Sequence, residues 1–428
     1  MKITPLEFEL ETVNYEMLYN SYISCCKRKR SKLSTKKFKA NTTYNLQLLL
    51  KELNDRTYTI SQTRAFVVFM PKTREIWCSM YRDRIVHHLV YDCIAWWFEE
   101  KFILDSYSCI KGRGTLFGAQ RVAKFARSIT NNWDKKHRLD KAFYLKLDIS
   151  NYFMSMSQIK LWDIIKDYFP KGSIMGYLLY KIIYNDYKYN CIVSNKKDFS
   201  KVPPEKSAWN AKDYCGLPIG NLLSQFLSNV YLNELDQYVK NELRVKYYGR
   251  YVDDMVFLAE SRKELKEIHQ KVKIFMREKL YLELAEHKTK LDSVFNGIDF
   301  VGYRILPWRV VPRKRTIGKF KYLLHKAKHV NHKNVLAVKR LTASINSYLG
   351  LLKHDNSYEI RKYYCEEISK YIYLTPTEDY TSMYPDKSKF LKFCMRDIRR
   401  LRDINAVEIF ITCHGKEHEL GTFFKKPK

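Results

Sequence analysis

The stretch YYGRYVDDMVFLAE (residues 247–260) sets two adjacent aspartates between runs built for β-strands. No other feature restricts the fold as much, because charge inside an apolar strand pattern has to be met by a partner. Taken alone, Asp253-Asp254 also reads as an ordinary polar turn. A third aspartate changes the odds: Asp148 closes another β-rich run, YLKLD (144–148). If the two runs are neighbours in one sheet, Asp148 and Asp253 meet at its end. Carboxylates about 4 Å apart repel by about 4 kcal/mol at an effective dielectric of about 20, so they need a counter-charge.

Divalent magnesium answers that need, since hard oxygen ligands suit the ion and it keeps substrate phosphates in its shell. Two such ions roughly 4 Å apart serve in-line phosphoryl transfer, one activating a hydroxyl and one stabilising a leaving pyrophosphate. Strand neighbours point to opposite faces, so Asp253 is expected to bind alongside Asp148 and Asp254 to have the looser role.

Composition points to a polyanionic partner: 77 Lys plus Arg against 46 Asp plus Glu give a net charge of +31. A membrane surface is the competing reading. However, no window reaches the roughly 18 apolar residues of a spanning helix, and MKITPLEFELETVNYE has no apolar leader core. The chain is therefore expected to be unexported and cytoplasmic. With 33 Tyr, 23 Phe and 7 Trp among the cations, stacking faces accompany the charge, which suits nucleic acid better than lipid. The ten cysteines contain no C-x-x-C pair, so no structural zinc site is expected, and they read as reduced core residues.

The basic run CCKRKRSKLSTKKFK (25–39) reads as a solvated helix face, a targeting signal or a phosphate contact. RAFVVFMPKTREIWCSM (64–80) has β-rich segments around PKTR and predicts a hairpin with a basic tip; DRIVHHLVYDCIAWWFEEKF (83–102) has helical apolar spacing. KAFYLKLDISNYFMSM (141–156) predicts a strand turning into a helix. GLPIGNLLSQFLSNVYLNELDQYVKNEL (216–243) and SRKELKEIHQKVKIFMREKLYLEL (261–284) predict amphipathic helices on either side of the opening hairpin. The alternation predicts an α+β fold with helices layered on a sheet. Residues 316–373 read as basic helices, and LTPTEDYTSMYPDKS (374–388) as a linker.

These residues resemble the reverse transcriptases. YVDD (251–254) looks like their catalytic hairpin, LKLDISNYF (145–153) like the motif carrying the first metal-binding aspartate, and LPIGNLLSQFLSNVYLNELD (217–236) like the motif gripping primer and template. LELAEHKT (282–289) and GIDFVGYRI (297–305) resemble closing palm elements; PKTREI, DRIVHHLV and DSYSCIKGRGT (105–115) resemble fingers motifs. The similarity spans about residues 64–310 with the motifs in family order.

The resemblance implies a right-hand α+β fold. A basic N-terminal extension (1–60) would precede fingers (61–145) and a palm (146–310) with an insertion at about 157–213. A helical thumb (311–373) and a C-terminal extension (374–428) would follow. It implies Asp148, Asp253, Asp254 and Lys288 as catalytic residues, with two Mg²⁺ held by Asp148, the Ile149 carbonyl, Asp253 and Asp254. It implies Lys72, Arg74, Phe153 and Gln225 as nucleotide-binding, Phe153 as a gate against the ribose 2′-hydroxyl. Arg113, Gly220, Asn221, Ser224 and Tyr251 would touch template or primer. By residue type alone, Phe153 reads equally as a core aromatic and Lys288 as a solvated lysine. Implied partners are a structured non-coding RNA template, its complementary DNA and deoxynucleoside triphosphates.

One departure is informative: Ile219-Gly220 and Ser224-Gln225 stand where intron and retroviral enzymes read QG and SP. That form resembles diversity-generating retroelement and antiphage-defence enzymes, and it puts high-fidelity copying in doubt. The extent of residues 374–428 favours the defence setting. A catalytically silent RNA-binding scaffold and a template-independent nucleotidyl transferase stay open.

Overall fold

The computed structural model describes residues 5–27, 29, 31–70, 72–133, 141–330, 334–354, 357–386 and 388–389. They form two compact units, the first within 1–121 and 141–293, the second within 122–140 and 294–428. Each matches the expected α+β alternation. Residues 390–428, and with them most of the C-terminal extension, lie outside the described residues.

The first unit holds two sheets. β1 (Thr63–Val68) and β2 (Arg74–Cys78) form the expected antiparallel hairpin, and β4 (Cys191–Val193) joins β1 in parallel. The other sheet takes β3 (Phe143–Leu147), β5 (Tyr247–Tyr251), β6 (Asp254–Ala259) and β7 (Lys290–Ser293) in the order β5-β6-β3-β7, all antiparallel. β3 therefore lies directly beside β6, as the carboxylate argument required. β6 is buried from Met255 to Ala259, which accounts for its unbroken apolar run.

Helices close the apolar face of this sheet. Tyr81–Lys101 buries Ile85, Val86, Leu89, Val90 and Ile94 at helical spacing, while Leu222–Gln237 buries Leu223, Phe226, Leu227, Val230 and Leu235. Arg262–Leu280 buries Leu265, Ile268, Val272, Met276 and Leu280, with its charges outward. Their apolar side chains join those of Leu145, Leu147 and Phe257 in one core. Strand β5 is the edge of its sheet, and the segment at Ser106 covers it with a parallel bridge to Arg250. This cover demands a glycine: a Cβ on Gly249 would lie 2.2 Å from the Tyr107 hydroxyl.

The second unit contains β8 (Ile298–Phe300), β9 (Tyr303–Ile305) and β10 (Val310–Pro312) in one antiparallel sheet, and the helices Lys314–His329, Val335–Leu352 and Tyr358–Tyr371. It corrects the linker expectation. Residues 374–386 hold β11 (Leu374–Pro376) paired with β12 (Met383–Pro385), not a free connector. The reason is that Leu374 and Met383 bury in the helical core while Asn346 bonds both the N–H and the carbonyl of Met383. The polar stretch between them is a tight turn in which the Asp379 carboxylate accepts from the Thr377 and Thr381 hydroxyls. Among the described residues, no helix is long and apolar enough to cross a membrane.

Gly249→Ala is expected to cost about 1–3 kcal/mol by overpacking. In a denaturant-melt double-mutant cycle with Tyr107→Phe, the two losses should sum to more than the loss of the double variant, because removing the hydroxyl takes away the nearest Tyr107 atom and leaves ring carbons at 2.8 and 2.9 Å.

Candidate active site

Register brings the aspartates together. Leu147 lies opposite Met255 and Tyr251 opposite Asp254, so Asp148 leaves β3 at the level where the β5–β6 turn carries Asp253. The chain after Leu282 returns along the same edge. Ala285 N–H donates to the Asp148 carbonyl at 2.8 Å, Ser150 N–H donates to Glu283, and Ile149 bridges Leu284. That return delivers Lys288, whose ammonium meets Asp148 Oδ1 at 2.5 Å.

The electrostatics separate the three carboxylates. Burial and then the charge of Asp148 push Asp253 from an ordinary 3.8 up to about 6; Asp254 adds to the rise, and Lys288 opposes it. Asp254 instead ion-pairs with Lys146 of β3 at 3.1 Å. Asp148 and Asp253 therefore form the crowded pair, and Asp254 has its own cation. Among the described residues no three His, Cys, Asp or Glu side chains converge as a metal cluster. Two carboxylates in mutual repulsion, beside the Ile149 backbone, still suit Mg²⁺, which takes one or two carboxylates and fills its shell with water and phosphate.

The turn itself is strained and clamped. Val252, a β-branched residue, sits at φ +55°, where such side chains cost about 1–3 kcal/mol. Both of its backbone groups are held: its N–H donates to Ser108 Oγ at 3.2 Å, and its carbonyl accepts from Arg250 at 3.1 Å. Arg250 is fully buried and ion-paired with the equally buried Asp236 at 2.6 Å. Its remaining N–H groups reach Asn229 Oδ1 at 3.2 Å and Ser106 Oγ at 3.2 Å, so all five donors have acceptors. Tyr248 Oη also donates to Asp236, at 2.7 Å.

Sequence reasoning missed Arg250, Asp236, Ser108, Asn229 and Lys146. A signal existed for the first two: Arg250 interrupts an apolar strand, and Asp236 follows Leu232 by four residues on the buried helix face.

The other expected residues divide. Lys72 and Arg74 are exposed beside the β1–β2 turn, and Phe153 is partly exposed five residues after Asp148. Gln225 is exposed, with Cys109 Sγ donating to its Oε1 at 3.5 Å, and Tyr251 is partly buried. Gly220 takes φ +122° and packs against Ile76. Three residues expected at the template or primer have places inside the fold. Asn221 is buried and accepts from Ser79 N–H at 3.1 Å; Ser224 is buried in the helix face. Arg113 braces the carbonyls of Ile103 at 2.8 Å and Ser106 at 2.9 Å.

Residues 64–305, more than half of the chain, match the family described as reverse transcriptase (RNA-dependent DNA polymerase). The chain is similar to Protein YkfC of Escherichia coli (strain K12), 24% identical over 303 residues that cover 62% of this chain and 72% of that protein. Among solved structures it is similar to apo telomerase from Candida tropicalis, with 13% identity, a TM-score of 0.43, and coverage of 73% of this chain and 60% of that one. Telomerase from Candida albicans in complex with a fragment of telomeric RNA gives 12% identity and a TM-score of 0.40, covering 83% of this chain and 60% of that one.

Two outcomes are expected of this geometry. Arg250→Met should lose about 3–5 kcal/mol in a denaturant melt, because Asp236 is left buried and unpaired. A carboxyl raised in the fold stabilises below its unfolded value and loses that contribution as pH rises through about 6. In chelator-treated protein, Asp253→Asn should therefore melt higher than wild type at pH 7.5, with the gap closing by pH 4.

Proposed function

The chain belongs to the reverse transcriptase family, and we propose that it copies a dedicated structured non-coding RNA into complementary DNA by metal-dependent phosphoryl transfer. The fold is the right-hand polymerase fold of that family. The observation that carries the proposal is the juxtaposition of Asp148 and Asp253 at one sheet end, where burial first and the charge of Asp148 second push Asp253 up to about 6.

Asp148, Asp253 and the Ile149 carbonyl are the groups that would hold magnesium. Bound there, magnesium supplies Lewis-acid activation of a primer hydroxyl and charge neutralisation on the leaving pyrophosphate. The chain's own residues do the positioning. Arg250 and Ser108 fix the turn, and Lys146 ion-pairs with Asp254. Lys72 and Arg74 offer a point charge and a planar fork to an incoming triphosphate. Lys288, already against Asp148, stands ready to hold a proton near the leaving group. Phe153 takes the gate position against a 2′-hydroxyl.

The net charge of +31 supports a long phosphate footprint. The Ile219-Gly220 and Ser224-Gln225 pairs, similar to those of diversity-generating retroelement and antiphage-defence enzymes alike, support copying of a dedicated RNA rather than general copying.

Primer extension on an RNA template with deoxynucleotides tests the chemistry. Asp148→Asn and Asp253→Asn should each lose about a thousand-fold or more in rate, and chelation should abolish synthesis, while RNA binding stays near wild type. Product formed equally well without template would contradict templated copying and indicate a nucleotidyl transferase. RNA binding should also weaken with salt at a log-log slope of about −0.7 per phosphate neutralised on single strands.

A further inference from the structure

The loop between the helix Ile174–Ile183 and the turn at Gly216 has no role in the account so far, yet it is bound firmly to β2. Glu75 of β2 is a buried carboxylate that accepts three hydrogen bonds: from Ser207 Oγ at 2.5 Å, Ala208 N–H at 2.8 Å and Trp77 Nε1 at 3.1 Å. Two of the three donors belong to the loop. Trp77, also fully buried, is met edge-on by three more loop residues, Tyr187 at 5.1 Å, Trp209 at 5.2 Å and Phe199 at 6.3 Å between ring centroids. Strand alternation explains the arrangement, since Glu75 and Trp77 share one face of β2 and exposed Arg74 lies on the other.

The same apolar cluster ends on the nucleotide side. Ala65, Trp77, Met154, Tyr187 and Ala208 form its core, and Phe153 and Ile219 pack against it. The backbone is fastened as well. Leu217 N–H donates to the Phe153 carbonyl at 2.9 Å, and Trp77 N–H donates to the Ile219 carbonyl at 2.7 Å. A ring that excludes one hydroxyl discriminates only if it cannot retreat. Close packing behind it is what prevents retreat.

We propose that the loop spanning residues 184–215, locked to β2 through Glu75, is a specificity-determining wall that holds Phe153 rigid and so sets the discrimination between deoxyribose and ribose. The inference rests on the reading of Phe153 as the sugar gate. Glu75 and Tyr187 are positioning residues, acting through Phe153 and touching no substrate themselves.

Steady-state kcat/KM for a deoxynucleotide and its ribonucleotide, on one primer–template, tests it in the full chain. Phe153→Ala should reduce the deoxy-to-ribo ratio by about 100-fold, and Glu75→Gln and Tyr187→Leu by about 10-fold each, through a lower KM for the ribonucleotide. In Glu75→Gln and Tyr187→Leu, deoxynucleotide kcat should stay within about two-fold. Phe153→Ala combined with Glu75→Gln should show no loss beyond Phe153→Ala alone, because the wall then has no ring to hold. Ser207→Ala removes one hydrogen bond and leaves the apolar cluster intact, so it takes the place of Glu75→Gln should that variant melt below assay temperature. An unchanged ratio in Phe153→Ala would overturn the gate reading, and this inference with it. A relaxed ratio in Phe153→Ala with an unchanged ratio in every wall variant would overturn the inference alone. So would equal losses for both sugars.

Discussion

A guanidinium with no access to solvent holds the turn that carries Asp253. Arg250 and Asp236 are both fully buried, and burying a single charge without a partner would be prohibitive. The pair is tolerable because each of the five Arg250 donors meets an acceptor, and those acceptors come from three places in the chain: the segment around Ser106, the helix Leu222–Gln237 and Val252 itself. Such a pair adds little net stability over an apolar replacement, but it specifies one arrangement. Here that arrangement joins an edge strand, its cover and a helix, and it keeps Val252 in a backbone region it would otherwise leave.

On that frame, the carboxylates sort themselves by their neighbours. Sheet register puts Asp148 and Asp253 together, where burial and then the charge of Asp148 raise Asp253, while Asp254 has an ion pair of its own with Lys146. Lys288 sits on Asp148 as the local cation. An arrangement that costs stability at neutral pH is maintained where a divalent cation and a triphosphate would relieve it.

Much of this was legible beforehand. The hairpin of β1 and β2 and the helices from Tyr81 and from Arg262 follow from period and turn residues, which are local signals; the pairing of YLKLD with DMVFL entered only as a condition of the carboxylate argument. What escaped was non-local. The partners of Arg250 lie 14 and 144 residues away, and no local pattern names them. The internal bonds of Asn221 and Arg113 were not legible for the same reason: a polar side chain near a site looks the same in sequence whether it faces a ligand or a backbone group. The stretch 374–386 misled by composition, since its Thr, Asp and Pro residues mark a turn, and only its Leu374 and Met383 betray that the turn is anchored.

The most direct test of templated copying is to recover and sequence the nucleic acid that co-purifies with the protein from its host, wild type beside Asp253→Asn. The account predicts one discrete RNA in both samples and matching complementary DNA only with wild type. RNA in both, with complementary DNA in neither even after phage challenge, would contradict it and point to a scaffold.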